Sequence, residues 1–297
     1  MFPSDSYWYK DVSALPAYTA EDIIGGLATW GHNNVFAIDF SIMFQHADAS
    51  TPKVSIPLDP SYDPDNDHVP VPIPVGGAVE GETGYTCTQG GDCHLIVVDD
   101  AQQKLFELWQ ASYDAQNNTW FATQESVWNL TEHYGPNNRG KDCTSADAAG
   151  FAVLPGLVGV REVVVDQEIK HALRYILPND HMRPSSYVAP ATHSAQHTGP
   201  ATSPPMGTRL RLKASFDEST LPSGGAKVVA RALKKYGMLL ADGGEIALTA
   251  ESDQLEATKW GSVLGPQDLA ALQVTDFEVV DYANVDNYSG LNCVRSP

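Results

Sequence analysis

The sequence predicts a mainly β fold: a single-domain β-sandwich of jelly-roll type with one or two short helices. Three observations predict it. Short runs of alternating or β-branched residues recur along the chain, clusters of Gly, Pro, Asn and Asp separate them, and the strand–helix–strand rhythm of a parallel α/β sheet is missing. No low-complexity stretch divides the 297 residues, so one domain spanning 1–297 is expected. An apolar content of 42% against 19% charged residues is a globular composition.

The elements follow in order. AEDIIGGLATW, about 20–30, has apolar residues at helical spacing, with Thr19 placed to cap and Glu21 and Asp22 in the first turn. NVFAIDFSIMF reads as a strand with Asp39 on its more polar side. DPDND puts Asp63, Asp65 and Asp67 at i, i+2, i+4, a spacing that can wrap Ca²⁺, although the turn glycine and distal glutamate of the helix-loop-helix calcium site are missing; a solvated acidic loop is the competing reading. HVPVPIPV alternates proline with β-branched residues and is expected at a sheet edge.

GGDCHLIVVDDAQQKLFELW reads as a hairpin turning at DDAQQ. Alternation puts Asp92, His94, Ile96 and Val98 on one face, and Leu105, Glu107 and Trp109 together on the returning strand. GVREVVVDQEI, HALRYILP and SYVAPATH continue the strand-like pattern, and THSAQHTGPATSPPMG is expected to be a long surface loop. TRLRLKASF alternates most clearly, with Arg209, Arg211 and Lys213 facing away from Leu210, Leu212 and Ala214. GGAKVVARALKKYG, about 225–236, is the strongest helix, with Val228, Val229, Ala232 and Leu233 on one face and Gly237 placed to end it. MLLA and IALTA read as short strands about a DGG turn.

A net charge of −19 disfavours nucleic acid and anionic membranes as partners, although seven of the eighteen basic residues fall between 209 and 235. No apolar run is long enough to span a bilayer. The opening MFPSDSYWYKDVSALP lacks the basic and apolar regions of a signal peptide, as expected of a mature form. Cys87 and Cys93 flank the short loop TQGGD, which leaves Cys143 and Cys293 for a second, long-range bridge; four cysteines and the glycosylation sequons at Asn117, Asn129 and Asn287 suit a secreted protein.

Several groups could carry chemistry. Asp92 and His94 leave one sheet face, as does Glu107, and imidazole beside carboxylate suits an oriented general base; a polar strand end is the competing reading. Asp147 sits in the small-residue loop CTSADAAG, where substrate can approach closely or where an Asx turn can form. His171 and Arg174 face opposite sides of a strand, and His193 precedes the long loop; the spacing of His94, His171 and His193 matches no compact metal motif. Arg209, Arg211 and Lys213 could neutralise a uronate in eliminative cleavage or form a solvated outer face. The sequence has no G-x-S-x-G elbow, phosphate loop or H-E-x-x-H pair, so serine hydrolases, nucleotide enzymes and zinc proteases lose support.

The strings GDCHLIVVD, CTSADAAGFAVLPGL, EIKHALRYILP, PATH, MGTRLRLKASF and RALKKYGMLLADGG, spread over roughly residues 60–282, resemble those of a group of secreted bacterial and fungal proteins without a functional name. In architecture the chain also resembles jelly-roll carbohydrate-active enzymes. These resemblances and the residues together lead to an expected function: a secreted enzyme cleaving glycosidic bonds of a polysaccharide or oligosaccharide, as a glycoside hydrolase first and a polysaccharide lyase second. The alternative is a non-catalytic carbohydrate-binding or cell-surface recognition protein. Asp147 is the expected catalytic carboxylate, with Glu107 or Asp92 as partner and His94, His171 and His193 positioning substrate or sharing proton transfer. Arg174, Arg209, Arg211, Asp242 and the aromatic residues Trp109, Trp120 and Trp128 are expected to hold the glycan.

Overall fold

The hairpin at residues 92–109 lies at the heart of the architecture. In the computed structural model, which describes residues 2–282, 284–288, 290 and 293–296, its strands belong to one of two principal sheets. Numbering only the strands of those two sheets, the small sheet contains β2 (Gln45–Ala47), β3 (Leu95–Asp99), β4 (Lys104–Trp109) and β5 (Gln124–Asn129), in that spatial order. The large sheet contains β1 (Ala37–Ile42), β6 (Leu173–Leu177), β7 (Arg209–Leu212), β8 (Met238–Gly243), β9 (Ala247–Glu251) and β10 (Phe277–Val280), in the order β1-β9-β6-β8-β7-β10.

The small sheet is buried on both faces, which is why LIVVD reads as an unbroken apolar run. Ile96, Val98 and Leu105 join the main core, into which the large sheet also packs. Leu95, Val97, Phe106 and Leu108 point the other way, into a second cluster with Ile56, Val71 and Ala122. Ile96 lies opposite Glu107 across the hairpin, so the face assignment drawn from alternation holds.

The fold is mainly β, as the sequence predicts, and differs from a uniformly antiparallel jelly roll in three parallel pairings: β1 with β9, β2 with β3, and β6 with β8. Parallel neighbours need long crossovers, and the β6–β8 crossover is the segment carrying β7 and the longer helix. The strands about the DGG turn form but do not pair with each other, because β6 lies between them, parallel to β8 and antiparallel to β9.

Helix α1 (Ile23–Leu27) is shorter than expected, and its cap is Asp22, whose carboxylate accepts from the Gly25 N–H, rather than Thr19. Helix α2 (Gly224–Lys235) is capped by Ser223, and Gly237 ends it at φ +70°. The Val-rich run at Glu162–Asp166 is a single π-helical turn instead of a strand; Val163 is buried and the turn lies against α2, where Gly225 leaves room for it.

The basic stripe is also corrected. All four residues of β7 are buried, so neither of its faces is a solvated outer surface. The N-terminal segment crosses the arginine face: Arg209 donates to the Tyr7 and Tyr236 carbonyls, each at 2.9 Å, and Arg211 to the Leu15 carbonyl at 2.9 Å and to Glu278 at 2.8 Å. Lys213 donates to the Thr275 carbonyl. The long loop 189–208 is likewise half-buried rather than a surface excursion, with Ser194, His197, Ser203 and Met206 enclosed.

Both expected disulfides are formed, Cys87–Cys93 and Cys143–Cys293. Two disulfides are compatible with an extracellular protein, and among the described residues no helix is long and apolar enough to cross a membrane. Asn117, Asn129 and Asn287 are all exposed.

Gly237 provides a test of the helix stop. A Cβ there would stand 2.6 Å from the Leu210 carbonyl oxygen, on a backbone conformation that L side chains rarely adopt. Gly237→Ala is expected to lower unfolding free energy by at least about 1 kcal/mol, read from urea denaturation; an unchanged midpoint contradicts this account of where α2 stops.

Candidate active site

Three adjacent strands of the large sheet, β9, β6 and β8, present Thr249, Arg174 and Asp242 toward the loop 143–151. Arg174, buried at 2% exposure, donates from Nε to Asp147 Oδ2 at 3.0 Å and from Nη1 to Thr249 Oγ1 at 3.0 Å, and its Nη2 lies 3.8 Å from Asp242 Oδ2. Asp147 is wholly buried. Burial pushes its carboxyl above the usual range, and the Arg174 guanidinium offsets part of that rise. The Arg174 charge is thus held between two carboxylates, one enclosed and one at a surface.

The loop carrying Asp147 is folded by its small residues. Ser145 Oγ accepts from the Asp147 N–H at 3.0 Å and bonds the Phe151 carbonyl oxygen at 2.5 Å. Gly150, at φ +78°, lets the chain pass so close to Thr192 that a Cβ would stand 2.2 Å from the Thr192 hydroxyl. The glycine admits a neighbouring chain segment, while Ala146 and Ala148 face a cleft.

That cleft has a volume of about 400 Å³ and is walled by Asp92, Trp109 and Tyr62 on one side and by Asp242, His193 and His197 among its other residues. The rings of Tyr62 and Trp109 meet edge to face at 5.7 Å. Trp109 Nε1–H donates to Asp92 Oδ1 at 3.0 Å, fixing an exposed carboxylate at the rim. Asp242 is a quarter exposed and accepts from the N–H groups of Gly243 at 2.7 Å and Ala148 at 3.2 Å. Burial raises its pKa, Arg174 offsets part of the rise, and the charge of Asp92 pushes it further up. The Cys87–Cys93 bridge abuts Asp92 and the Cys143–Cys293 bridge abuts Thr144 of the cleft wall, so both disulfides brace the rim.

His94 lies beneath the cleft, 3% exposed. Its Nδ1 is 2.6 Å from Glu80 Oε2 and its Nε2 is 2.9 Å from the Ala146 carbonyl oxygen. Both neighbours only accept, so both ring nitrogens carry hydrogen. Burial opposes that charge, but the Glu80 carboxylate outweighs it and holds His94 up at about 9. Glu80, in spite of its own burial, is held down at about 2 by the imidazolium.

The structure therefore brings together Asp92, Trp109, Asp242 and His193 on one cleft and sets His94, Asp147 and Arg174 directly behind it. Other expected residues go elsewhere. Glu107 is wholly enclosed, accepting from the Val153 and Leu154 N–H groups at 2.9 Å and from Trp128 Nε1–H at 3.0 Å; it caps a backbone turn. Trp128 is buried with it, and Trp120 packs on Tyr85 and Tyr113 in the second cluster. His171 bonds Glu162 at 3.0 Å beside a separate cavity of about 340 Å³ lined by leucines and phenylalanines together with charged residues such as Asp100, Arg161 and Glu251. Arg209 and Arg211 lie under the N-terminal segment. Asp63, Asp65 and Asp67 do not converge: Asp63 pairs with His68, Asp65 accepts from the Thr144 N–H, and Asp67 from the Val127 N–H and Arg139. A larger groove of about 620 Å³ beside the N-terminal segment holds Asp5 and Asp281, which pair with His133 and Lys10. Sequence reasoning missed Tyr62, Asn179 and His197; the one available signal was the i, i+4 histidine pair in THSAQH.

No family model, no curated protein and no solved structure matches the chain.

The His94–Glu80 pair sets a pH window. Glu80 stabilises the fold above its ordinary value of 4.5 and loses that contribution as pH falls toward about 2; His94 contributes fully below its ordinary 6.5 and loses it as pH rises toward about 9. Thermal stability is expected to decline between pH 6.5 and 9. His94→Gln is expected to lose about 3–5 kcal/mol at pH 6 and to flatten the alkaline decline, since Glu80 is left unpaired. An unchanged alkaline slope in the variant's melting curves contradicts the pairing.

Proposed function

We propose that the protein is a secreted glycoside hydrolase that cleaves a polysaccharide or oligosaccharide in the cleft between Asp92 and Asp242. The observation that carries this reading is the pair of carboxylates in unlike surroundings on one cleft. Asp242 is held partly enclosed with a raised pKa, which suits a general acid that must keep its proton until the glycosidic oxygen takes it. Asp92 is exposed and fixed by Trp109, which suits the carboxylate that attacks the anomeric carbon or activates water. Asp147 becomes a positioning residue, because a wholly buried carboxylate bonded to Arg174 cannot touch substrate; it fixes the guanidinium beside Asp242.

Tyr62 and Trp109 offer aromatic edges and faces to a sugar ring. The two disulfides and the exposed glycosylation sequons favour an extracellular site of action. Elimination loses ground, because the arginines that would neutralise a uronate are committed to backbone carbonyls and Glu278 elsewhere.

Release of reducing ends from a panel of polysaccharides tests the proposal. Asp242→Asn is expected to lower kcat by about 100-fold or more while glycan binding persists, and Asp92→Asn to act similarly. Wild-type binding without reducing ends would make the protein a recognition module instead. Formation of unsaturated uronate would select a lyase.

A further inference from the structure

Gly31 brings a histidine against two strand ends of the large sheet. At φ +57° it passes so close to Pro178 that a Cβ would stand 2.9 Å from the proline ring, and 3.4 Å from the Ile246 side chain. Pro178 follows β6 and Ile246 precedes β9, so the next residue, His32, falls between the 3₁₀ turn Asn179–His181 and Glu245.

Four side chains meet there. His32 Nε2 lies 3.0 Å from Asp180 Oδ2, and the other oxygen of that carboxylate lies 2.8 Å from His181 Nδ1. One atom from each of these three side chains lies within 4.8 Å of the other two. None is sealed off: His32 and Asp180 are exposed and His181 is partly so. Behind them is the support that a metal-bound imidazole needs. Glu245 Oε1 stands 2.7 Å from His32 Nδ1, and a carboxylate only accepts, so that nitrogen carries hydrogen and Nε2 is left to ligate. Thr29 Oγ1, 3.5 Å from His181 Nε2, can take the hydrogen of that nitrogen and leave Nδ1 to ligate.

An ordinary surface pair joins one imidazole to one carboxylate, as in His46–Asp100, His68–Asp63 and His133–Asp5. Here two imidazoles from separate segments converge on one carboxylate, with a second carboxylate behind. Among the described residues, the other groups of this kind are Asp65 with Cys143 and Cys293 and Glu82 with Cys87 and Cys93, whose sulfurs are spent in disulfides.

We propose that His32 Nε2, His181 Nδ1 and one Asp180 oxygen hold a divalent transition-metal ion of the zinc class, with water in the fourth position. Two imidazoles and one carboxylate suit such an ion, whereas Ca²⁺ and Mg²⁺ take oxygen ligands. Ligands about 2.0–2.2 Å from zinc stand about 3.3–3.6 Å apart in a tetrahedron, so the side chains open by roughly half an ångström from their present separations. The ion replaces the hydrogens shared between the rings and Asp180, which leave to water as protons. It ties the turn after α1 to the end of β6. Asn179 and Gly244 line both this hollow and the cleft of Asp242, so the brace adjoins the cleft rim.

Calorimetric titration of the full-length, chelator-treated chain with Zn²⁺ tests it. One ion per chain is expected to bind with a Kd of about 10 µM or tighter, and excess Ca²⁺ or Mg²⁺ is not expected to compete. His32→Ala and His181→Ala are each expected to weaken binding by about 100-fold, and Glu245→Gln, which keeps both ligating nitrogens, by about tenfold. His46→Ala removes an imidazole from an ordinary pair and is expected to change nothing. A second readout needs no variant: Zn²⁺ is expected to shift the ring ¹⁵N resonances of His32 and His181 and to leave those of His46, His68 and His133 in place. Absence of stoichiometric binding, binding that survives both histidine variants, equal loss in His46→Ala, or shifts spread over all the surface histidines overturns the inference. No arm reads hydrolysis, so failure here is distinct from failure of the hydrolase reading.

Discussion

The guanidinium of Arg174, placed inside the large sheet between Asp147 and Asp242, is the interaction on which the site depends. A buried cation needs both charge compensation and hydrogen-bond acceptors, and here Asp147, Thr249 and Asp242 supply them from one loop and two strands. Satisfying it draws the loop 143–151 against the strand ends, and that loop forms one wall of the cleft. The same placement divides the acids by function. Asp147 is sealed in to hold the charge, and Asp242 is left at the surface with a proton affinity set by partial burial, by Arg174 and by Asp92.

A second ion pair, His94 with Glu80, anchors the other side of the same loop through the Ala146 carbonyl. The hairpin and the large sheet thus grip neighbouring residues, Ala146 and Asp147, from opposite directions. Disulfides close the arrangement from outside. The consequence is a cleft in which Asp242 sits on a strand and Asp92, in the loop before β3, is tied down by Trp109 and the adjoining Cys87–Cys93 bridge, which is the condition for acids to act at set positions.

Much of the fold was legible in the sequence because alternation is a local signal. The hairpin face carrying Asp92, His94, Glu107 and Trp109, the stop of α2 at Gly237 and the Cys87–Cys93 bridge follow from spacing and turn chemistry, whereas the sequence offered the Cys143–Cys293 bridge only as the pairing left over. What failed was non-local. TRLRLKASF alternates like a surface strand, yet the N-terminal segment covers its arginine face and supplies backbone acceptors, which no window around residue 210 reveals. GVREVVVDQEI has strand composition, and tertiary packing against α2 turned it into a helical turn. At the site, the sequence placed Asp92, His94, Asp147, Arg174, His193 and Asp242 among the residues that count, but could not sort enclosed from exposed. Glu107 and Asp147 both lie in small or apolar surroundings, and burial gave each a structural partner instead of a substrate. His197 was passed over because a Pro/Ser/Thr/Gly-rich loop suggests solvent, whereas this one is pressed into the cleft wall.

The claim that burial keeps a proton on Asp242 against the pull of the Arg174 guanidinium is tested most directly by following the Asp242 carboxyl carbon through a pH titration by ¹³C NMR. The account predicts a midpoint clearly above the ordinary aspartate value of 3.8. A midpoint at or below that value would show Asp242 to be an ordinary anion paired with Arg174, and would contradict its assignment as the acid.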